Sequence, residues 1–147
     1  MTAQANTSLR TRASVQALNT VLVGSALDQS SDEVVRAARD LARAAGAALA
    51  VVHAAPFPMV VPGMLLTDAS IAGSISAGLE RDLAAQAVRL DLAAAQPPML
   101  RVEDGPPDLV LARIARELRA DLVVVGATTS TGRLGKLLGS TAERLLA

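Results

Sequence analysis

The sequence predicts an open α/β fold, a parallel sheet with helices on both faces. Three observations carry this expectation. Four short apolar runs alternate with four stretches of helical character along the chain. The stretches between runs have crossover length, and crossovers of that kind join parallel strands. The runs are near-continuous in Val, Leu and Ala, which suits strands buried on both faces.

Taken in order, residues 1–18 read as a disordered N-terminal arm, and an α/β domain is expected over 19–147. "TVLVG" (20–24) is the first strand. "SSDEVVRAARDLARAAG" follows as a helix, with Ser30 as its cap and Glu33 three residues on to complete a capping box. Val34, Ala38, Leu41 and Ala45 form its expected apolar face, and Gly46 supplies the stop. "AALAVVHAA" (47–55) is the second strand, ended by Pro56. After a loop of Pro, Gly and Met residues comes a weaker helix over about 74–95, carrying Gly78 and stopped by Gln96, Pro97 and Pro98. "MLRVEDG" is the third strand. "PPDLVLARIARELRA" is the third helix, with proline at its opening and Leu111, Ile114, Ala115 and Leu118 on one face. "DLVVVG" (121–126) is the fourth strand, and "GSTAERLLA" begins a fourth helix.

Composition narrows the function. At 147 residues the chain is one domain, 51% hydrophobic and 19% charged. Fourteen basic residues balance fourteen acidic ones, so no general attraction to nucleic acid or anionic lipid is expected. The single aromatic residue, Phe57, leaves no base-stacking platform. Without cysteine there is no disulfide framework, thiolate nucleophile or zinc ribbon, and the lone His53 rules out a multi-histidine metal site. The first twenty residues lack the apolar core of a secretory signal. The uncharged run 47–66 is broken by Pro56, Pro58, Pro62 and Gly63, so no membrane span is expected. A cytoplasmic location fits these features.

The stretch "GATTSTGRLGKLLGST" (126–141) holds the chemistry. It contains four glycines, six hydroxyl side chains and two cations, Arg133 and Lys136, and no carboxylate. Neither a Walker loop nor a Rossmann glycine motif is present: Ser130 and Leu137 break the first, and only Ser25 and Ala26 follow Gly24 in the first turn. Gly126 permits a sharp bend at a strand end. Gly139 and Ser140 open a helix whose unpaired N–H groups favour an anion. Two readings stay open from these residues: a phosphate cradle, or a glycine-permitted turn with a serine cap and solvated cations. In an open α/β sheet, ligands settle beyond the carboxyl ends of the strands where the strand order reverses. That rule gathers the loop after Gly24, the strand end near Ala54 and the loop after Val125.

The spacing of this stretch resembles the universal stress protein family, over about residues 19 to 147. That family follows its fourth strand with Gly, two residues, Gly, nine residues and Gly-Ser/Thr. Here the positions are Gly126, Thr129, Gly139 and Ser140. "DLVVVGA", "LLGSTAERLL", "VEDGPP" and the histidine of "AVVHAA" also sit where similar family stretches do. The resemblance implies an adenine nucleotide alpha hydrolase-like fold and a dimeric, non-enzymatic stress-response protein that binds ATP, with or without magnesium, or another adenine nucleotide. It places Ser25 and Ala26 by the ribose, Ala54 by the adenine, Gly126 and Thr129 at the phosphate turn, and Gly139, Ser140 and Thr141 at the phosphates. Two positions depart from the pattern: Thr129 stands for the middle glycine, and Ala26 for the aspartate of the family's V-D-x-S. Loss of that carboxylate costs roughly 1–3 kcal/mol of affinity. A dimeric interaction module with a degenerate pocket that binds no nucleotide is therefore the alternative.

His53 reads as a hydrogen-bonded strand-end histidine, and Asp28 as part of the turn before the first helix. Glu103 and Asp104 point to opposite sides of a strand and make no acid–base pair. Family members usually continue into a fifth strand that often pairs two subunits. The sequence ends in its fourth helix, so a sheet lacking that last strand is expected, with one edge in need of cover. The apolar loop "FPMVVPGMLL" (57–66) is either a second contact surface or a lid.

Overall fold

The structure, a computed structural model, describes residues 17–55, 69–94, 96–127 and 140–147. Expectations for residues 1–16 of the arm, the apolar loop and the 128–139 loop lie outside these residues, while Leu18 at the end of the expected arm packs against the core. The elements run β1 (Thr20–Gly24), α1 (Gln29–Ala45), β2 (Ala48–Ala55), α2 (Ala69–Arg89), β3 (Met99–Asp104), α3 (Pro107–Leu118), β4 (Leu122–Val124) and α4 (Ser140–Leu146). The four strands form one parallel sheet in the order β3-β2-β1-β4.

Each apolar run divides its side chains between two cores, because successive residues of a strand point to opposite faces. Val21, Val23, Leu49 and Val51 pack with Val35, Ala38 and Ala42 of α1 and with Leu83 and Leu90 of the α2 segment. Leu22, Ala50 and Val52 pack on the other face with Val110, Leu111 and Ile114 of α3, and Leu145 of α4 joins them. Small residues such as Ala38, Ala42 and Ala50 let helices approach the sheet closely, which suits a core built almost without aromatics.

Several local expectations are corrected. The N-cap of α1 is Asp28, not Ser30: its side chain accepts from the Ser31 N–H, and the Ser31 hydroxyl accepts from the Asp28 N–H. Asp28 is extended (φ −117°) and Leu27 before it is left-handed (φ 60°), so the chain turns two residues ahead of the expected cap. A carboxylate there also suits the positive end of the helix dipole. The buried stripe of α1 is Ser31, Asp32, Val35, Ala38 and Ala42, rotated from the expected face. Leu41, at 45% exposure, points outward. Gly46 is the left-handed stop as expected (φ 65°). α2 begins before Ser74 and ends at Arg89, where a turn through left-handed Asp91 (φ 52°) replaces its expected last residues. β4 has three residues rather than six, since among the described residues β1 alone pairs with it and that register covers Val21 to Val23.

The order of the strands places the site. From β1 the chain steps outward to β2 and β3, then α3 carries it back across the opposite face to β4. The strand order thus reverses between β1 and β4, and the loops leaving their carboxyl ends diverge.

Candidate functional site

At this reversal lies a cleft of about 450 Å³. Its β1 wall is the 25–31 loop and the start of α1, its floor is the end of β2, and its β4 wall is Val125 to Ala127. Pro107 and Leu111 of α3 and Thr141 of α4 close the remaining side. Of the residues singled out from sequence, Ser25, Ala26, Ala54, Gly126 and Thr141 all line this one cleft. Ser140 is the first residue of α4. Thr129 and Gly139, with Arg133 and Lys136, lie outside the described residues.

Gly24 is closely packed: a Cβ there would stand 3.0 Å from Leu111 Cδ1, which would have to give way by a few tenths of an ångström. Gly126 is not confined in that way, because its Cβ would meet Val34 Cγ2 at an ordinary 3.4 Å and its φ is not left-handed. The bend after β4 therefore does not depend on glycine freedom, contrary to the sequence expectation.

The β1 wall is held by a chain of hydrogen bonds. The Ser25 N–H donates to the Val52 carbonyl (2.9 Å), continuing the sheet past the end of β1. The buried Ser25 hydroxyl donates to Gln86 Oε1 (2.8 Å) and accepts from the Leu27 N–H (3.1 Å). Its proton is engaged within the protein, so Ser25 shapes the cleft without offering it a free hydroxyl donor. Gln86, at 2% exposure, sends its amide N–H groups to Asp32 Oδ1 (2.9 Å) and the Ser31 hydroxyl (3.4 Å). Arg89 completes the network with an ion pair to Asp32. Donation by Arg89, then by Gln86, holds the Asp32 carboxyl below its ordinary value of 3.8. Asp28 is lowered likewise, by the Ser30 hydroxyl and the Ser31 N–H. The stabilisation from these depressed carboxyls is present above 3.8 and is lost as pH falls through their folded-state values. Gln86 was missed from sequence, yet a signal was there: it lies on the stripe Leu83, Gln86, Ala87, Leu90, a polar side chain at an inward-facing position.

His53 Nδ1 lies 2.8 Å from the Ser25 carbonyl oxygen. A carbonyl only accepts, so Nδ1 carries the proton, and a neutral ring then keeps Nε2 as an acceptor. The residue is the hydrogen-bonded strand-end histidine expected, and it ties the end of β2 to the β1 loop. Glu103 pairs instead with Arg101 and Arg113, away from the cleft, and Asp104 is exposed. On the β4 side, Arg144 of α4 approaches Asp108 at the start of α3 (3.7 Å), and Asp108 Oδ1 is buried without a hydrogen bond among the described residues.

Sorted by chemistry, the β1 wall carries the polar Asp28, Ser30 and Ser31, and apolar surface comes from Val34, Val52, Ala54, Leu111 and Val125 around the cleft. Asp28 is the one carboxylate among the described lining residues. The described residues hold no cluster of three or more His, Cys, Asp or Glu suited to a metal ion. Their helices include none long and apolar enough to cross a membrane.

Comparison with known proteins agrees with this arrangement. The sequence profile of the universal stress protein family matches residues 18–147. A universal stress protein solved in complex with cAMP is 27% identical, with a TM-score of 0.64 over 88% of this chain and 89% of that one. A universal stress protein family member from Burkholderia pseudomallei is 26% identical, with a TM-score of 0.67 over 89% of each chain. UspA from Lactobacillus plantarum, 17% identical, shares the fold at a TM-score of 0.70 over 88% of this chain and 90% of that one. Among curated proteins no match is found. With its profile matched from the first strand through the last helix, and a cleft where its strand order reverses, the chain belongs to the universal stress protein family.

Proposed function

We propose that the cleft binds an adenine nucleotide, ATP or a relative of it, and that the protein is a regulatory, cytoplasmic homodimer without turnover of its own. The observation that carries this reading is the convergence of Ser25, Ala26, Ala54, Gly126 and Thr141 on one cleft at the strand reversal. Its apolar surface suits a purine, and its polar groups suit a sugar. The similar structure with cAMP supports an adenine ligand. Binding would bias contacts with partners, a regulatory use of differential affinity. For dimerisation, the support is that the outer edge of β4 carries no strand among the described residues.

Titration calorimetry with ATP, with and without magnesium, and with cAMP tests the proposal. Saturable heat is expected, and Gly139→Val is expected to abolish it by placing Cβ bulk at the opening of α4. Absence of heat from folded protein at millimolar nucleotide would sink the nucleotide reading. The second reading, an interaction module with a degenerate pocket, is favoured by Ala26, whose methyl lines the cleft where a carboxylate would serve a nucleotide. It predicts a dimer whose size by light scattering is indifferent to ATP.

A further inference from the structure

We propose that Asp108 and Arg144 are positioning residues of the cleft, and that the loose ion pair between them closes when a ligand engages Thr141. This rests on the nucleotide reading and deepens it, by naming what sets the α4 side of the cleft. Asp108 sits in the first turn of α3, next to Pro107, which lines the cleft. Arg144 sits in the last turn of α4, three residues after Thr141, which also lines it. Residues three apart share one side of a helix, so the pair bridges α3 and α4 beside the cleft.

The Asp108 side chain is 16% exposed, and its Oδ1 is buried with no hydrogen bond among the described residues. A buried carboxylate oxygen is costly to leave unpaired, so Asp108 gains when a donor comes within reach. Arg144 Nη1 stands 3.7 Å from that oxygen. A charge-assisted bond forms at about 2.7–2.9 Å, so a movement of about 1 Å closes the pair. The two helices differ in how freely they can make it. α3 is anchored by Val110, Leu111 and Ile114, each at most 3% exposed. α4 buries Ala142 and sends Leu145 to the same core, while Leu146 is 77% exposed. The adjustment therefore falls to α4. Thr141 and Arg144 travel together as parts of one helix, so a ligand that draws Thr141 toward α3 brings the guanidinium to Asp108. By the same linkage, a closed pair holds Thr141 in place for the ligand.

The test is a double-mutant cycle over Asp108→Asn and Arg144→Gln, read as ATP affinity by calorimetry. Each substitution is expected to weaken ATP roughly threefold to tenfold, the scale of a partly exposed ion pair. The double variant should be no weaker than either single one, because both remove the same bond. A pair that served stability alone would couple equally with and without ATP, and so would leave the affinities unmoved. Arg144→Lys, which keeps the charge, should bind within about twofold of wild type. In a Thr141→Val background the loss from Arg144→Gln should disappear. Arg144 is 65% exposed, so its variants are expected to fold and decide the matter even where Asp108→Asn is unstable. Equal affinities of the Gln and Lys variants would overturn the proposal and leave nucleotide binding standing. So would losses that multiply in the double variant, or a loss that persists in the Thr141→Val background. Absence of ATP binding by the wild type would remove both readings together.

Discussion

On the β1 side of the cleft, each turn of the chain from Ser25 to Ser31 is tied by a hydrogen bond into the protein, down to Gln86, Asp32 and Arg89. On the β4 side, Val125 to Ala127 leave a three-residue strand paired, among the described residues, with β1, and α4 meets α3 through the packing of Leu145 and one loose ion pair. The difference teaches that a cleft at a strand reversal need not be evenly built. One wall is tied into the fold by hydrogen bonds before any ligand arrives, and the other shows fewer of them among the described residues. Local stability follows the density of such buried contacts.

The largest blow to this asymmetry should come from Gln86→Leu. It leaves the buried Ser25 hydroxyl without its acceptor and Asp32 without one of its donors, for a loss of about 2–4 kcal/mol. The urea midpoint is the measurement, and a loss below about 1 kcal/mol would mean the network contributes little. A sharper comparison uses two valines that are register partners on the same sheet face, Val23 and Val124. Val23 is fully buried in the middle of the sheet, and Val124 is half-buried at its edge. Val23→Ala should cost about 2–3 kcal/mol and Val124→Ala about 1 kcal/mol, by transfer and cavity terms. Equal losses in chemical denaturation would show that the β4 wall is as firmly set as the β1 wall. The smallest effect is a gain. Arg119 ends α3 in the left-handed region (φ 50°), just before the chain enters β4. Arg119→Gly should raise stability by about 0.5–1 kcal/mol, seen as a higher melting temperature, without altering ligand affinity.

The layers of the fold were legible because continuous apolar runs and crossover lengths leave few topologies. β1 was read to the residue, since its ends are marked by Thr20 and Gly24 and β2 pairs along its whole length. β4 was not, since the apolar run after Asp121 continues to Val125 while its register with β1 covers only Val21 to Val23. The cap of α1 was misplaced because Asp28, Ser30 and Ser31 are all competent caps, and only the left-handed turn at Leu27 decides among them. A bulky apolar residue gives no sequence sign of such a turn. Five of the residues singled out from sequence line one cleft because the reversal rule that gathers them depends on topology and not on side-chain detail. The Gln86 network was missed because its partners are far apart in sequence, 61 residues for Ser25 and Gln86, so the inward-facing position of Gln86 does not name the groups it meets.

Leu27 has a consequence of its own. Its backbone occupies a region that costs an L-residue about 1–2 kcal/mol, while its side chain packs into the core beneath α1. A glycine there would turn the loop into a pivot. With leucine the loop is pegged, and residues 26 and 28 on either side of the peg keep a fixed spacing. A visiting molecule would meet them as one rigid template, and any change of shape on its arrival would have to come from the opposite bank.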